Sequence, residues 1–330
     1  MRYTSIFNLL LLLFLLIVSK VNAYSWGFFA HEKINELSIY TLDEDLFGFY
    51  KKHVDDIIAS SVDPDKRRYL IEGEGCKHYV DVDQYESEFP LDTLDWGYDS
   101  LVQVFGKEFV HEHGIAIWNL IWMKYKLIKA FTSKDAQTIV KTSAEIGHYV
   151  GDIHVPLHAN SNYNGQKTNQ VGIHALWESR LPEMYYDRYS LLTGSAHYIK
   201  DLPSSLLEVV GESHRLSWIV LSREKTVSQS IPSSERYTIE MRKGKSFKNY
   251  SKTYRKRYRN VLKGMVERRM KNSIHFVGSF WYSCWVEAGQ PDLSNLIEQK
   301  SIENVKDSRN WKIPFAKIQG LKIFGRYEPH

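Results

Sequence analysis

Three observations predict an all-α fold for this chain. Apolar residues recur at three- and four-residue spacing in several separate segments. No alternating apolar and polar series marks a sheet. The polar stretches between the periodic segments are too short to link independent domains. Together these predict a single multi-helix domain.

The elements follow in order. Arg2 precedes the ten apolar residues Leu9 to Val18, and small residues follow at Ala23 and Ser25. This is the layout of a secretory signal peptide, and the run is too short to span a bilayer. Residues 1–25 are therefore expected to be removed on export to a periplasm or the outside, leaving a domain over 26–330 with its core at about 26–293. Val54, Ile57 and Ile58 form a first apolar stripe. Ile117, Ile121, Ile128 and Phe131, with Trp118, Trp122 and Tyr125, form a second. Ile139, Val140, Ile146 and Val150 form a third, whose helix should stop before Pro156. The Asn- and Gly-rich stretch from Asn160 to Gly172 reads as a loop. Leu206, Leu207, Val210, Leu216, Ile219 and Val220 continue the helical pattern. A polar, basic loop is expected over Pro232 to Phe247, then a long helix from about Tyr250 to Ala288, closed by Gly289 and Pro291.

Composition bounds the function. The chain of 330 residues is 43% hydrophobic and carries 21 Tyr, 15 Phe and 9 Trp, ample for a large core. Its net charge of +4 is too mild to name a partner. Cys76 and Cys284 allow at most one disulfide, and neither lies in a CxxC pair, so zinc-thiolate chemistry is not expected. A metal would have to be held by His and carboxylate.

Those residue types concentrate between Glu145 and Glu178. His148 and Asp152 are four apart, as are His174 and Glu178, so each pair projects from one helix face about a turn apart. Imidazole nitrogen and carboxylate oxygen both suit Zn(II) at bonds of about 2.0–2.2 Å. Pro156 ends the helix and lets His158 swing back toward Asp152, whereas His154 is expected to hydrogen-bond a ligand carboxylate or the backbone rather than bind. Upstream, Trp26 and His31, and Asp63 and His78, carry weight only in company: alone, Asp63 would be a turn or cap residue and His78 a partly buried core histidine.

Trp26 with His31, Asp63 with His78, the string His148-x3-Asp152-x5-His158, and His174-x3-Glu178 resemble, in order and near-spacing, the superfamily of bacterial zinc-dependent phospholipases C and trinuclear-zinc single-strand-specific nucleases. The resemblance covers roughly Trp26 to Leu293. It implies an all-helical fold and three zinc ions in one cleft. By motif, one zinc would be held by Asp63, His78, His148 and Asp152, and a second by His158, His174 and Glu178. The third would take His31, a bridging Asp152, and the amine and carbonyl of a mature N-terminal Trp26. Of the two cleavage frames, Val21-Asn22-Ala23 and Ala23-Tyr24-Ser25, only cutting after Ser25 frees that amine.

The implied function is a secreted hydrolase of phosphoric diesters, with Asp63 or, alternatively, Glu178 orienting or deprotonating the attacking water. Glu178 and the Asn162-Tyr163-Asn164-Gly165-Gln166 loop lean toward the phospholipase C branch and a phospholipid head group. The alternative is a nuclease acting on single-stranded DNA or RNA. A non-catalytic zinc-stabilised binding protein is a further alternative, disfavoured because structural zinc sites are usually Cys-rich closed tetrahedra. The cationic run from Arg242 to Lys271, interleaved with Tyr250, Tyr254 and Tyr258, is a candidate contact with anionic surfaces if it is not simply a solvated helix face. No obligate protein partner is evident.

Overall fold

The computed structural model describes residues 27–86, 94–242 and 245–297. The expected signal peptide and Trp26 lie outside these residues. Among the described residues the chain is mostly helical, as expected, and no helix is long and apolar enough to cross a membrane.

The Ala136–His154 helix is the axis of the fold. Asp135 caps it by accepting from the Thr138 amide at 3.0 Å. It ends where Val155, restricted by the following Pro156, turns extended at φ −75° and ψ 119°. From Thr142 to His154 every residue is buried, as befits a helix wrapped on all sides. It packs against Ala116–Thr132, Met265–Glu287, Val54–Ser60, Phe28–Ser38 and Leu202–Ser230. The second predicted stripe lies on Ala116–Thr132, but only part of it is core: Ile117, Trp118 and Phe131 are buried, whereas Trp122 and Tyr125 are exposed.

Two glycines let one neighbour approach closely. A Cβ on Gly147 would lie 2.2 Å from Asn35 Oδ1, and one on Gly151 would lie 3.1 Å from His31 Nδ1. The Phe28–Ser38 helix therefore crosses at a Gly-x3-Gly notch that sets His31 beside the central helix.

Two expectations are corrected. The segment read as a basic loop contains an antiparallel hairpin, β1 (Tyr237–Arg242) and β2 (Lys245–Tyr250), with Tyr237 opposite Tyr250 and Ile239 opposite Lys248. Its period-two pattern, Tyr237-x-Ile239-x-Met241, is only three apolar residues long and sits among cations. The long helix expected from Tyr250 to Ala288 is two, Lys252–Val261 and Met265–Glu287. They are divided where Lys263 and Gly264 take left-handed φ values of 49° and 76°.

Candidate metal centre

Among the described residues, three groups of buried His, Asp and Glu side chains have possible ligand atoms within 4.8 Å of one another: His31, Asp65 and His148; His78, His148 and Asp152; and His158, His174 and Glu178. His148 is shared by the first two. Asp152 stands at the centre. Its Oδ2 lies 2.8 Å from His78 Nδ1 and 3.2 Å from His148 Nε2, while Oδ1 faces His31 Nε2 at 3.5 Å and His158 Nδ1 at 3.6 Å.

The local sequence explains the geometry. His148 and Asp152 share a face of the central helix, one turn apart, and His31 stacks on His148 with ring centroids 3.9 Å apart. Past Pro156, the short turn Pro156–Ala159 carries His158 back against His78, whose carbonyl it meets at 2.6 Å. His174 opens a helical stretch made of Ile173–Ala175, the π-helical Leu176–Arg180, and Leu181–Tyr185. Glu178 falls in the wide turn, which brings Oε2 to 2.9 Å from His174 Nε2 and 3.3 Å from His158 Nε2.

Tautomers are set by the backbone. A carbonyl only accepts, so His148 Nδ1–H donates to Ser61 O at 2.8 Å and His158 Nδ1–H donates to His78 O. In the neutral rings each Nε2 then presents a lone pair inward. Such orientation by a backbone carbonyl is how ligating histidines are usually held. The inward pairs lie 3.2 Å (His148 to His78) and 3.1 Å (His158 to His174) apart. The edge of a tetrahedron around zinc is roughly 3.3–3.6 Å for bonds of about 2.0–2.2 Å.

The donor set fits a cation on charge as well. Asp65, Asp152 and Glu178 are at most 5% exposed, and buried carboxylates require compensation. Burial holds His31 down to about 4, with His148 adding to it, and burial followed by the Arg68 guanidinium holds His78 down to about 3. Those two rings resist supplying positive charge at neutral pH. Burial opposes protonation of His148, but the Asp152 and Asp65 carboxylates outweigh it and raise its pKa. Burial also opposes ionisation of Asp152, yet His148 and His158 hold its carboxyl well below the usual range. His78 Nε2 and Asp152 Oδ1 are buried with no hydrogen-bond partner.

Of the sequence-derived residues, His31, His78, His148, Asp152, His158, His174 and Glu178 converge, and Trp26 lies outside the described residues. Asp63 does not join them. It opens the short helix Asp63–Arg67, and its Oδ1 pairs with Lys66 Nζ at 2.8 Å. Asp65 takes the place expected of Asp63, with Oδ1 3.6 Å from His148 Nε2 and 3.7 Å from His78 Nδ1. At about 100° per residue the two carboxylates point nearly opposite ways, so only one can face the cluster. The i,i+3 lysine marks Asp63 as the outer one. His154 belongs to none of the groups: its Nδ1–H donates to Val150 O at 2.7 Å.

Three supporting residues had no site role in the sequence reading. Asn164 Oδ1 accepts from the Gly172 amide at 2.9 Å and the His174 amide at 3.4 Å, fixing where the His174 helix begins. Tyr163 places its ring 6.0 Å from that of His174. Tyr149 sets its ring edge-on to both His78 and His148, with its hydroxyl donating to Glu74. Only Asn164 left a signal, as an Asn in a loop before a helix.

No family model matches the chain, and no curated protein matches it.

Proposed function

We propose that the chain is an exported, zinc-dependent hydrolase of phosphodiesters, related to the zinc phospholipases C and trinuclear nucleases, with a phospholipid as substrate. The observation that carries this reading is the pair of buried His and carboxylate groups flanking Asp152, with the His148 and His158 tautomers set by backbone carbonyls.

His78, His148 and Asp152, with Asp65, would hold one zinc, and His158, His174 and Glu178 a second. His31, with Asp152 and the Trp26 amine, would hold a third. Phosphodiesters resist attack because their charge repels nucleophiles and the leaving alkoxide is poor. Zinc bound there would supply positive charge for the phosphoryl and leaving oxygens and would acidify water toward neutrality. The chain's own part is to accept the water's proton at the Asp65 or Glu178 carboxylate and to hold the imidazoles in the ligating tautomer. Tyr163, half-buried beside His174, would line the substrate's approach.

The test compares the purified protein, with its metal content measured, on phosphatidylcholine vesicles, single-stranded DNA and RNA. Release of phosphocholine that chelation abolishes and zinc restores is expected. Turnover of nucleic acid alone would move the reading to a nuclease. Zinc-loaded protein inert on all three would overturn the hydrolase reading in favour of a zinc-stabilised binding protein.

A further inference from the structure

Between Met241 and Val266 the sequence has ten Lys or Arg and no Asp or Glu. Part of this stretch is the strand β2, and its partner β1 carries an apolar edge that the core does not use. Side chains alternate across a hairpin, so Tyr237, Ile239 and Met241 share one face with Ser246, Lys248 and Tyr250. Ile239 is 67% and Met241 68% exposed. Val171, beside the root of the hairpin, is also exposed. Ile239 and Met241, adjacent on one face of the hairpin, form an exposed apolar patch.

The root of the hairpin is tied to the candidate metal centre. Tyr250 Oη donates to Val171 O at 3.3 Å, and its ring lies against Gly172, two residues before His174. Tyr250 also stacks on Tyr254, whose hydroxyl donates to Glu224, so the hairpin is anchored to the Leu202–Ser230 helix. Lys248 on the same face, and Lys252, Lys256 and Arg257 just beyond, are exposed.

We propose that this hairpin seats the chain on an anionic phospholipid surface, with Ile239 and Met241 entering the acyl boundary while the surrounding cations meet lipid phosphates. Exposed aliphatic side chains with Lys248 on the same face and further exposed cations on the following helix are the chemistry of interfacial anchoring. The same cations would attract a nucleic-acid backbone, but single-strand binding also needs free aromatic faces for stacking. Here the Tyr237 ring has Lys248 Nζ 4.0 Å over it and the Tyr250 ring 5.1 Å away, and Ile239 and Met241 have no π-face to offer. The seating rests on the phospholipid reading for its purpose, but the binding itself needs no turnover.

Co-sedimentation with vesicles tests it: phosphatidylcholine alone against phosphatidylcholine mixed with phosphatidylserine, for the intact chain and for the double variant Ile239→Asp/Met241→Asp. Both positions are solvent-exposed, so the fold should tolerate them, which circular dichroism and bound zinc confirm. Burial of each side chain is worth about tenfold in partition, so the variant should bind the mixed vesicles at least tenfold more weakly. Its hydrolysis of a small soluble phosphodiester, bis(p-nitrophenyl) phosphate, should equal that of the unmodified chain. Lys248→Glu should weaken binding to the mixed vesicles more than to phosphatidylcholine. Equal vesicle binding by intact chain and double variant would overturn the proposal, as would a double variant that loses affinity for a single-stranded oligonucleotide while keeping the vesicles. Vesicle binding by a chain that hydrolyses no substrate would sustain the seating and remove the catalytic reading alone.

Discussion

Replacing Gly147 with alanine drives a methyl group into Asn35. The new Cβ would sit 2.2 Å from Oδ1, 2.6 Å from Cγ and 2.7 Å from Nδ2, against 3.4 Å or more for ordinary contact. Asn35 is wholly buried and its amide donates to the His31 carbonyl at 3.1 Å, so it cannot swing into solvent. Overpacking of this kind costs about 1–3 kcal/mol, and losing the buried hydrogen bond about 1 kcal/mol more. Alanine's better helix propensity returns about 1 kcal/mol. The net loss is about 1–3 kcal/mol, a fall in Tm of about 3–10 °C for a domain of this size. Gly211, mid-helix with only Arg215 Nη1 at 3.7 Å from an added Cβ, is the matched control. Gly211→Ala should raise Tm by about 2–4 °C. Calorimetry on both variants, with bound zinc counted in each, reads the difference. Gly147→Ala should also bind less zinc, because the displaced helix carries His31, and adding Asn35→Ala should recover part of the stability. A Gly147→Ala protein as stable as Gly211→Ala would refute the close-packed notch.

Asp65→Asn should lose bound zinc and phosphodiester turnover together, whereas Asp63→Asn, whose carboxylate pairs with Lys66, should keep both; the reverse order would restore Asp63 to the site. Chelation should lower Tm along with activity, since the ligands come from separate segments that the ions would tie together, and an unchanged melting curve would contradict shared binding. Burial alone would raise the Glu74 pKa, but Arg67 and then other nearby positive charge hold it at about 2 against an ordinary 4.5. Because the folded pKa is the lower one, this group stabilises above pH 4.5 and the contribution, up to roughly 3 kcal/mol, fades as pH falls toward 2. Glu74→Gln should flatten acid unfolding over that window in a urea series taken at several pH values. Both cysteines are free and buried, and burial pushes the Cys76 thiol up to about 11. Iodoacetamide at pH 8 should therefore leave the native chain unlabelled and label two thiols after denaturation.

The helices that could be read from the sequence are those whose burial is decided by their own periodicity. Ile139, Val140, Ile146 and Val150 repeat at helical spacing and all four are buried, and Pro156 stops that helix for local steric reasons. The i,i+4 pairs were legible for the same reason: His148 with Asp152 and His174 with Glu178 lie one turn apart in any helix, and the wide turn at Glu178 keeps the second pair in contact. The hairpin and the break at Lys263-Gly264 were not legible. A three-residue alternation and a single glycine carry too little local energy to outweigh the basic, helix-compatible residues around them.

Sequence alone thus determined the helical class, the two His–carboxylate pairs and the residue types available to a cation, because each is set by chain-local geometry. Which aspartate faces the histidines was decided by tertiary packing. Asp63 and Asp65 are equally suited by type, and only the docking of the Asp63–Arg67 helix against the central one turns Asp65 inward and leaves Asp63 with Lys66. The meeting of His31 and His78 with Asp152 is likewise tertiary. Nothing local relates His78 and His31, which lie 74 and 121 residues before Asp152 in the sequence, to the central helix; the Gly147 and Gly151 notch and the carbonyls of Ser61 and His78 bring them to one point.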